Sequence, residues 1–461
     1  MNSKIRLTGL GVLAGLLLAA QQSDVIIKIT KGERAVIALP DLRGAGEAQR
    51  FMDAFNQALW SDIESSGLFK MAPESLYPLG VPQRPEDFRP PLPPPPARRG
   101  QPPPAPRRQG PWLTDWSGPP VNAGYLALGY AAEQAGQFVL RGWLYNVAQQ
   151  DLSNAQVFGK LYLGPLDEEG ARKTAHEFAA DILKQFGGAS LAGTKIYFVS
   201  DRAGQGIKEI WSMDHDGSNQ KPVTSYKSVC TTPAVSPDGA KIAFTSYVGG
   251  NPAILLHSLE TGRRLRFYGP ASSMVATPEF TPDGQKILFS YAIGGWAQIA
   301  IANADGSDLR RISQVRAIEV EPKVNPKTGA EVVFVTGRGG PQQIFRMNLD
   351  GTDVRRLTTG EGQASNPAWH PDGQHIAFAW TRGYEPGNFN IFIMDVATQS
   401  FVQLTHGAGR NENPSWAPDG RHLAFSSNRG GSNQIWTMLA DGTQLRQLTT
   451  QGRNTMPVWS K

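Results

Sequence analysis

The sequence holds a single cysteine, Cys230, so no disulfide can close within the chain and no cysteine-based metal site can form. A small, partly buried thiol is the expected state of that residue. There is no Gly-x-Ser-x-Gly elbow, and no α/β segment of hydrolase size follows the repeats described below. No Lys/Arg run is interleaved with aromatics, which argues against nucleic acid as a partner even though the formal net charge is +5. Much of that excess lies in one proline-rich stretch, as Arg84, Arg89, Arg98, Arg99, Arg107 and Arg108. The one long apolar run, Leu7 to Ala20, is shorter than the roughly 20 residues a spanning helix needs. Lys4 and Arg6 precede it and the polar Gln21-Gln22-Ser23-Asp24 follows, the pattern of an export signal (residues 1–20) cleaved near Ala20. An uncleaved anchor is the alternative. No cysteine follows the run to accept a lipid, and no later segment is long and apolar enough to insert in a membrane. The mature chain is therefore expected to be soluble and outside the cytoplasm.

What is abundant is glycine (50) and proline (35), the composition of short strands joined by tight turns. They fall in a repeat. Pro233-Ala-Val-Ser-Pro-Asp-Gly239 leads into Lys241-Ile-Ala-Phe-Thr-Ser246, and the phrase returns at Pro278–Gly284, Pro367–Gly373 and Pro414–Gly420. A degenerate copy, Pro322-Lys-Val-Asn-Pro-Lys-Thr-Gly329, has lost its Asp-Gly. The second prolines stand at 237, 282, 326, 371 and 418, steps of 45, 44, 45 and 47 residues. Asp-Gly supplies the positive φ of a hairpin turn, and alternating apolar residues on either side mark strands. A second Asp-Gly closes most units, at Asp216, Asp305, Asp350 and Asp441. Four antiparallel strands in such a period make a propeller blade. Gly193–Ser200 is a second strand without a first, and Met456–Ser460 a first strand without a second. Joined, they complete a sixth copy. The expected fold is a small α/β N-terminal domain (residues 34–190) followed by a six-bladed β-propeller (residues 191–461) whose last strand closes the first blade.

In the N-terminal part, Phe51, Phe55, Leu59 and Ile63 predict one amphipathic helix, and Ala175, Phe178, Ala179, Ile182 and Phe186 another. Residues 35–39, 126–130, 138–145 and 157–163 predict strands. The stretch from about 78 to 111 is dominated by Pro and Arg and is expected to be an extended or disordered insertion. It can be read as a docking segment or as a solvated loop.

Catalytic chemistry finds little support. His370 and His375 flank one Asp-Gly turn at a spacing that matches no familiar metal pattern, and they read as surface histidines of a turn, like the scattered His215, His257, His406 and His422. Asp214-His-Asp-Gly-Ser-Asn219 lacks the Gly and Glu positions of a calcium loop and aligns with the other hairpin turns. No cofactor and no metal are expected. The competing enzyme reading is an extracytoplasmic propeller hydrolase or lyase of acidic sugars, which would need His, Arg and Lys clustered on one rim.

The order of export signal, α/β module and Pro-Asp-Gly repeats resembles the TolB family, the periplasmic component of the Tol–Pal envelope system. Val25-Ile-Ile-Lys-Ile-Thr-Lys-Gly32, Leu126-Ala-Leu-Gly-Tyr130, Leu140-Arg-Gly-Trp-Leu-Tyr145 and Ala175-His-Glu-Phe-Ala-Ala-Asp181 resemble segments of that family outside the propeller. The Pro/Arg insertion departs from its usual pattern. The resemblance implies a monomeric, non-enzymatic periplasmic adaptor serving outer-membrane integrity, cell division and protein import. Its implied partners are the lipoprotein Pal, the inner-membrane protein TolA and other outer-membrane-associated proteins. Residues 21–33 would be a switch segment, with Asp24, Val25, Ile26, Ile27, Lys28, Ile29 and Thr30 contacting TolA. The alternative for those residues is a plain spacer, although their alternation suits an added edge strand. Pal would meet the loops entering the first strands. These supply Val229, Cys230 and Thr231; Met274, Val275, Ala276 and Thr277; Ile318, Glu319 and Glu321; Ser365 and Asn366; Asn411 and Asn413; and Asn454 and Met456. The asparagines among them have a second reading, as local caps of strand entries.

Overall fold

The computed structural model describes residues 34–92, 108–149, 151–270, 274–382, 388–407 and 409–460. Residues 1–20 and 21–33, expected to be an export signal and a switch segment, and residues 93–107 of the Pro/Arg stretch lie outside them. Two compact units form, Glu33–Ala192 and the repeat region from Gly193 onward. No helix among the described residues is long and apolar enough to cross a membrane.

The first unit is built on a sheet of β1 (Ala35–Ala38), β2 (Arg43–Ala45), β3 (Phe69–Met71), β4 (Tyr125–Gln134), β5 (Gln137–Asn146) and β6 (Gln156–Pro165). Its order is β3-β1-β4-β5-β6, with β2 also pairing β4. β1 runs parallel to β3 and β4, while β4, β5 and β6 are antiparallel. The helices Met52–Ser65 and Glu168–Gln185 bury the apolar residues that repeat every third or fourth position, among them Phe55, Leu59, Ile63, Phe178 and Ile182, against this sheet. The second helix starts where the Asp167 carboxylate accepts the Gly170 N–H at 2.7 Å, an N-cap.

The Pro/Arg stretch is corrected at its ends. Residues 85–87 form a 3-10 turn, and Phe88 is buried in a second core with Trp112, Trp116 and Tyr145. The Arg84 guanidinium stacks on the Tyr130 ring at 4.2 Å. Composition hid these aromatic and cation–π anchors among prolines.

The second unit is six four-stranded sheets. Blade 1 is Asn454–Ser460 paired with Lys195–Ser200, Glu209–Asp214 and Lys221–Pro222, so the C-terminal strand enters the first blade as expected. The first strands of blades 2 to 6 are Cys230–Val235, Val275–Phe280, Glu319–Val324, Ala364–Trp369 and Asn411–Trp416. Each second strand carries one fully buried phenylalanine: Phe198, Phe244, Phe289, Phe334, Phe378 and Phe425. Removing such a ring from water stabilises by about 1.5–3 kcal/mol. The apolar clusters fall between neighbouring blades, which is how sheets with two apolar faces hide both. In the degenerate copy Lys327 stands at the aspartate position, and Asn325, at the position of Ser236 and Thr281, serves the turn instead, its Oδ1 accepting the Lys327 N–H at 3.0 Å.

Candidate functional site

Every first strand carries the same defect in its pairing. Thr232, Thr277, Glu321, Asn366, Asn413 and Met456 each precede a proline and each has φ between 48° and 56°. In each case the register to the second strand slips at that point, a β-bulge. The bulge turns the six residues into a ring around the central channel, where they line a cavity of about 280 Å³. Proline follows each because its missing N–H costs nothing where the ladder is already broken. Three residues further on, Val235, Val324, Trp369, Trp416 and Trp459 add an apolar lining to the same cavity, while their counterpart Phe280 packs into the core of blades 2 and 3.

The polar ring is fastened from blade to blade. The Thr277 N–H donates to Thr245 Oγ1 at 3.1 Å, and the Glu321 N–H to Thr277 Oγ1 at 3.4 Å. The Glu321 carboxylate accepts from the Asn366 N–H at 2.7 Å and from Asn366 Nδ2 at 3.0 Å. The Asn413 N–H donates to Asn366 Oδ1 at 3.3 Å. Burial within the channel pushes the Glu321 carboxyl above its ordinary range, against the Asn366 hydrogen bonds and the neighbouring Lys323. Lys323 itself reaches Glu279 in the adjoining blade at 2.6 Å. The channel thus offers a belt that is polar except at Met456, next to valine and tryptophan side chains.

Of the residues expected at the rim, Thr277, Glu321, Asn366, Asn413 and Met456 line this cavity. Met274 and Ile318 are exposed at the entries to their strands. Val229, Thr231, Ala276 and Ser365 are half-buried. Cys230, Val275, Glu319, Asn411 and Asn454 are buried. These five open the first strands, where the chain crosses from the preceding blade, so a partner cannot touch them without parting two blades. Asn411 donates to Asn390 Oδ1 at 3.3 Å and Asn454 to Gln434 Oε1 at 2.7 Å, both on the preceding blade. Their amides therefore clamp blades together. Burial pushes the Cys230 thiol up to about 11, so the cysteine is fully rather than partly buried and chemically quiet.

Sequence reasoning passed over a set of arginines on the same rim. Arg202, Arg338, Arg382 and Arg429 each stand four residues after the buried phenylalanine of their blade. Their guanidinium carbons lie over Trp211 at 4.4 Å, Phe345 at 5.3 Å, Phe401 at 4.4 Å and Trp436 at 5.1 Å. Three reach the opening residue of the blade's first strand: Arg202 to Asn454, Arg338 to Glu319 and Arg429 to Asn411. In blades 2 and 3 the arginine is replaced by Val248 and Ile293, and its partner by Cys230 and Val275. That phenylalanine-plus-four spacing was the available signal.

The histidines need correction too. His257, His370, His375 and His422 are buried rather than on the surface. His370, Asp372 and His375 bring ligand-type atoms within 4.8 Å of one another. Those atoms already serve the turn: His370 Nδ1 accepts the Asp372 N–H at 3.1 Å, and His375 Nδ1 lies 2.8 Å from Asp372 Oδ2. His422 and Asp419 repeat the arrangement at 2.6 Å in the next blade, which marks it as a fastening of the Pro-Asp-Gly turn.

The PD40 family, described as the TolB β-propeller domain, matches residues 184–379 and 360–461. A TolB homolog of Chlorobium chlorochromatii is 36% identical over 147 residues, 32% of each chain. The Tol-Pal system protein TolB of Paramagnetospirillum magneticum is 30% identical over 263 residues, 55% of this chain and 51% of the relative. The chain thus spans between a third and about half of the length of these curated relatives. The crystal structure of TolB from Acinetobacter baumannii shares the fold, with a TM-score of 0.72 at 22% identity over 93% of this chain and 97% of that one. With the family match covering all six blades, the chain belongs to the TolB β-propeller family.

Proposed function

We propose that this protein is a periplasmic adaptor of a Tol–Pal envelope system, binding Pal at the rim and channel mouth where the first strands begin and TolA through residues 24–30, in support of outer-membrane integrity and cell division. The observation that carries the reading is the ring of six bulged residues, which gathers one polar or apolar side chain from every blade around a single opening. A site assembled from all six blades recognises a surface larger than a small substrate. The rival sugar lyase is favoured less by the same geometry. The rim does carry arginines, but they stack on rings and brace strand entries, and the one lysine lining the cavity is tied to Glu279. Among the described residues lining the cavity there is no histidine, cysteine or tyrosine, and its two carboxyls, Glu279 and Glu321, are taken up by Lys323 and Asn366.

Calorimetric titration of residues 21–461 with the soluble domain of Pal from the same organism tests this, alongside a chain starting at Glu33. Saturable binding that changes on truncation is the expected result and supports both contacts. Equal binding by the two chains would retain the Pal contact and discard the switch. No binding by either folded chain would sink the adaptor reading.

A further inference from the structure

The rim is uneven. Tyr247, Val248, Met274, Trp296 and Ile318 are each between 40 and 51% exposed, and all lie at the strand-entry end of blades 2 to 4. Hydrogen bonds show that they sit side by side. The Val275 N–H donates to Pro252 O at 3.1 Å, joining the Tyr247–Val248 loop to the strand that follows Met274. The Ala292 N–H donates to Met274 O at 2.9 Å, and Gln298 Nε2 to Val315 O at 2.9 Å, which brings in the hairpin of Trp296 and the loop of Ile318. Within residues 247–252, 274–277, 291–297, 314–318 and the blade 4 hairpin 337–342 the charged side chains are Arg316 and Arg338, the latter paired with Glu319. Single exposed apolar residues are ordinary on any surface, but five contiguous ones beside only two arginines, one of them already paired, are not.

The Trp296 hairpin is itself unusual. Its strands, Lys286–Ile293 and Trp296–Asn303, have eight residues each, where the second and third strands of the other blades have six. Pairing continues to Ile293 opposite Trp296, and Gly294 and Gly295, both at positive φ, make the two-residue turn. Two added residue pairs carry the tip about 7 Å further along the strand direction, with Trp296 at its end. Blades 5, 6 and 1 present the opposite chemistry at the same rim: Arg382, Arg410, Arg429, Arg453 and Arg202, against Glu361, Glu412 and Asp201 among the described residues.

We infer that the partner docks off-centre, packing the apolar patch on blades 2 to 4, which is flanked by Arg316 and the Glu319-paired Arg338, with Trp296 as the anchor, and turning acidic side chains toward the arginines of blades 5, 6 and 1. The inference rests on the Pal reading above and assigns which part of that rim supplies the affinity. Aromatic residues on an apolar patch are where binding energy concentrates, whereas rim charges steer approach and fix orientation.

The test is calorimetric titration of the Pal soluble domain into residues 21–461 carrying Trp296→Ala, Met274→Ser or Arg453→Ala, at low and at physiological salt, with thermal melts to confirm folding. Trp296→Ala is expected to weaken binding by about 30-fold or more and Met274→Ser by several-fold. Arg453→Ala is expected to cost less than about threefold, and only at low salt. Unchanged affinity in both apolar variants, or a larger loss in Arg453→Ala, would overturn the inference while leaving the Pal reading in place. If the unsubstituted chain fails to bind Pal, both fall together.

Discussion

Arg202 donates to Asn454 Oδ1 at 3.1 Å across 252 residues of sequence, and this contact joins the two halves of the split blade. Asn454 also donates to Gln434 Oε1 at 2.7 Å and to Gln451 O at 2.9 Å, so one buried amide ties blade 6, the C-terminal strand and the first complete strand of the repeat region together. Asn454→Ala would leave these partners without it. The expected loss is about 2–3 kcal/mol in urea denaturation. Arg453→Ala, one residue away and exposed, is expected to change stability by no more than about 0.5 kcal/mol. Equal effects would show that the clasp does not hold the ring closed.

Glycine is irreplaceable at some turns for two reasons at once. Gly351 has φ +90°, and a Cβ there would meet Ile312 O of the preceding blade at 2.0 Å. Gly250 has the same φ with open space around it. Gly250→Ala is expected to cost about 1–2 kcal/mol from backbone strain alone. Gly351→Ala is expected to cost more than 3 kcal/mol in the same denaturation assay, because the blades must also separate.

Acid should loosen the hairpin turns. Hydrogen bonds from the Thr281 hydroxyl and the Gln285 N–H hold the Asp283 carboxyl below its ordinary range, and the Ser236 hydroxyl and the Ala240 N–H do the same for Asp238. A carboxylate with a lowered folded pKa contributes stability above its unfolded value of roughly 4 and loses it as pH falls through the folded value. Melting temperatures of Thr281→Val and Ser236→Ala are therefore expected to lie below that of the unsubstituted chain at pH 6, with the gap narrowing by pH 3. A gap independent of pH would separate these hydroxyls from the titration.

Phe88 tests whether the Pro/Arg stretch is structural at its edge. Its ring meets Tyr145 at a centroid distance of 5.4 Å and Trp112 at 6.4 Å. Phe88→Ala is expected to destabilise the first unit by about 3–5 kcal/mol, followed as loss of near-ultraviolet ellipticity on heating. A change below about 1 kcal/mol would return the residue to the solvated insertion.

The six blades and the split that closes them were legible because each blade is a local unit. Asp-Gly turns and alternating apolar residues act over a few positions, so the period and the unmatched half-repeats at 193–200 and 456–460 stand in the sequence itself. The channel ring was half legible: Thr277, Glu321, Asn366, Asn413 and Met456 were named as rim residues, while Thr232 was missed by one position. Cys230, Asn411 and Asn454 looked equally available. Only the packing of one blade on the next decided that the residues two places before each bulge are buried, with Asn411 and Asn454 clamping to the preceding blade, whereas the bulged residues face the opening. Burial of this kind depends on what the neighbouring sheet presents, and that neighbour lies some 45 residues away. The uneven rim has the same origin. Val248, Met274, Trp296 and Ile318 are scattered in sequence, and the propeller's circular order sets them side by side.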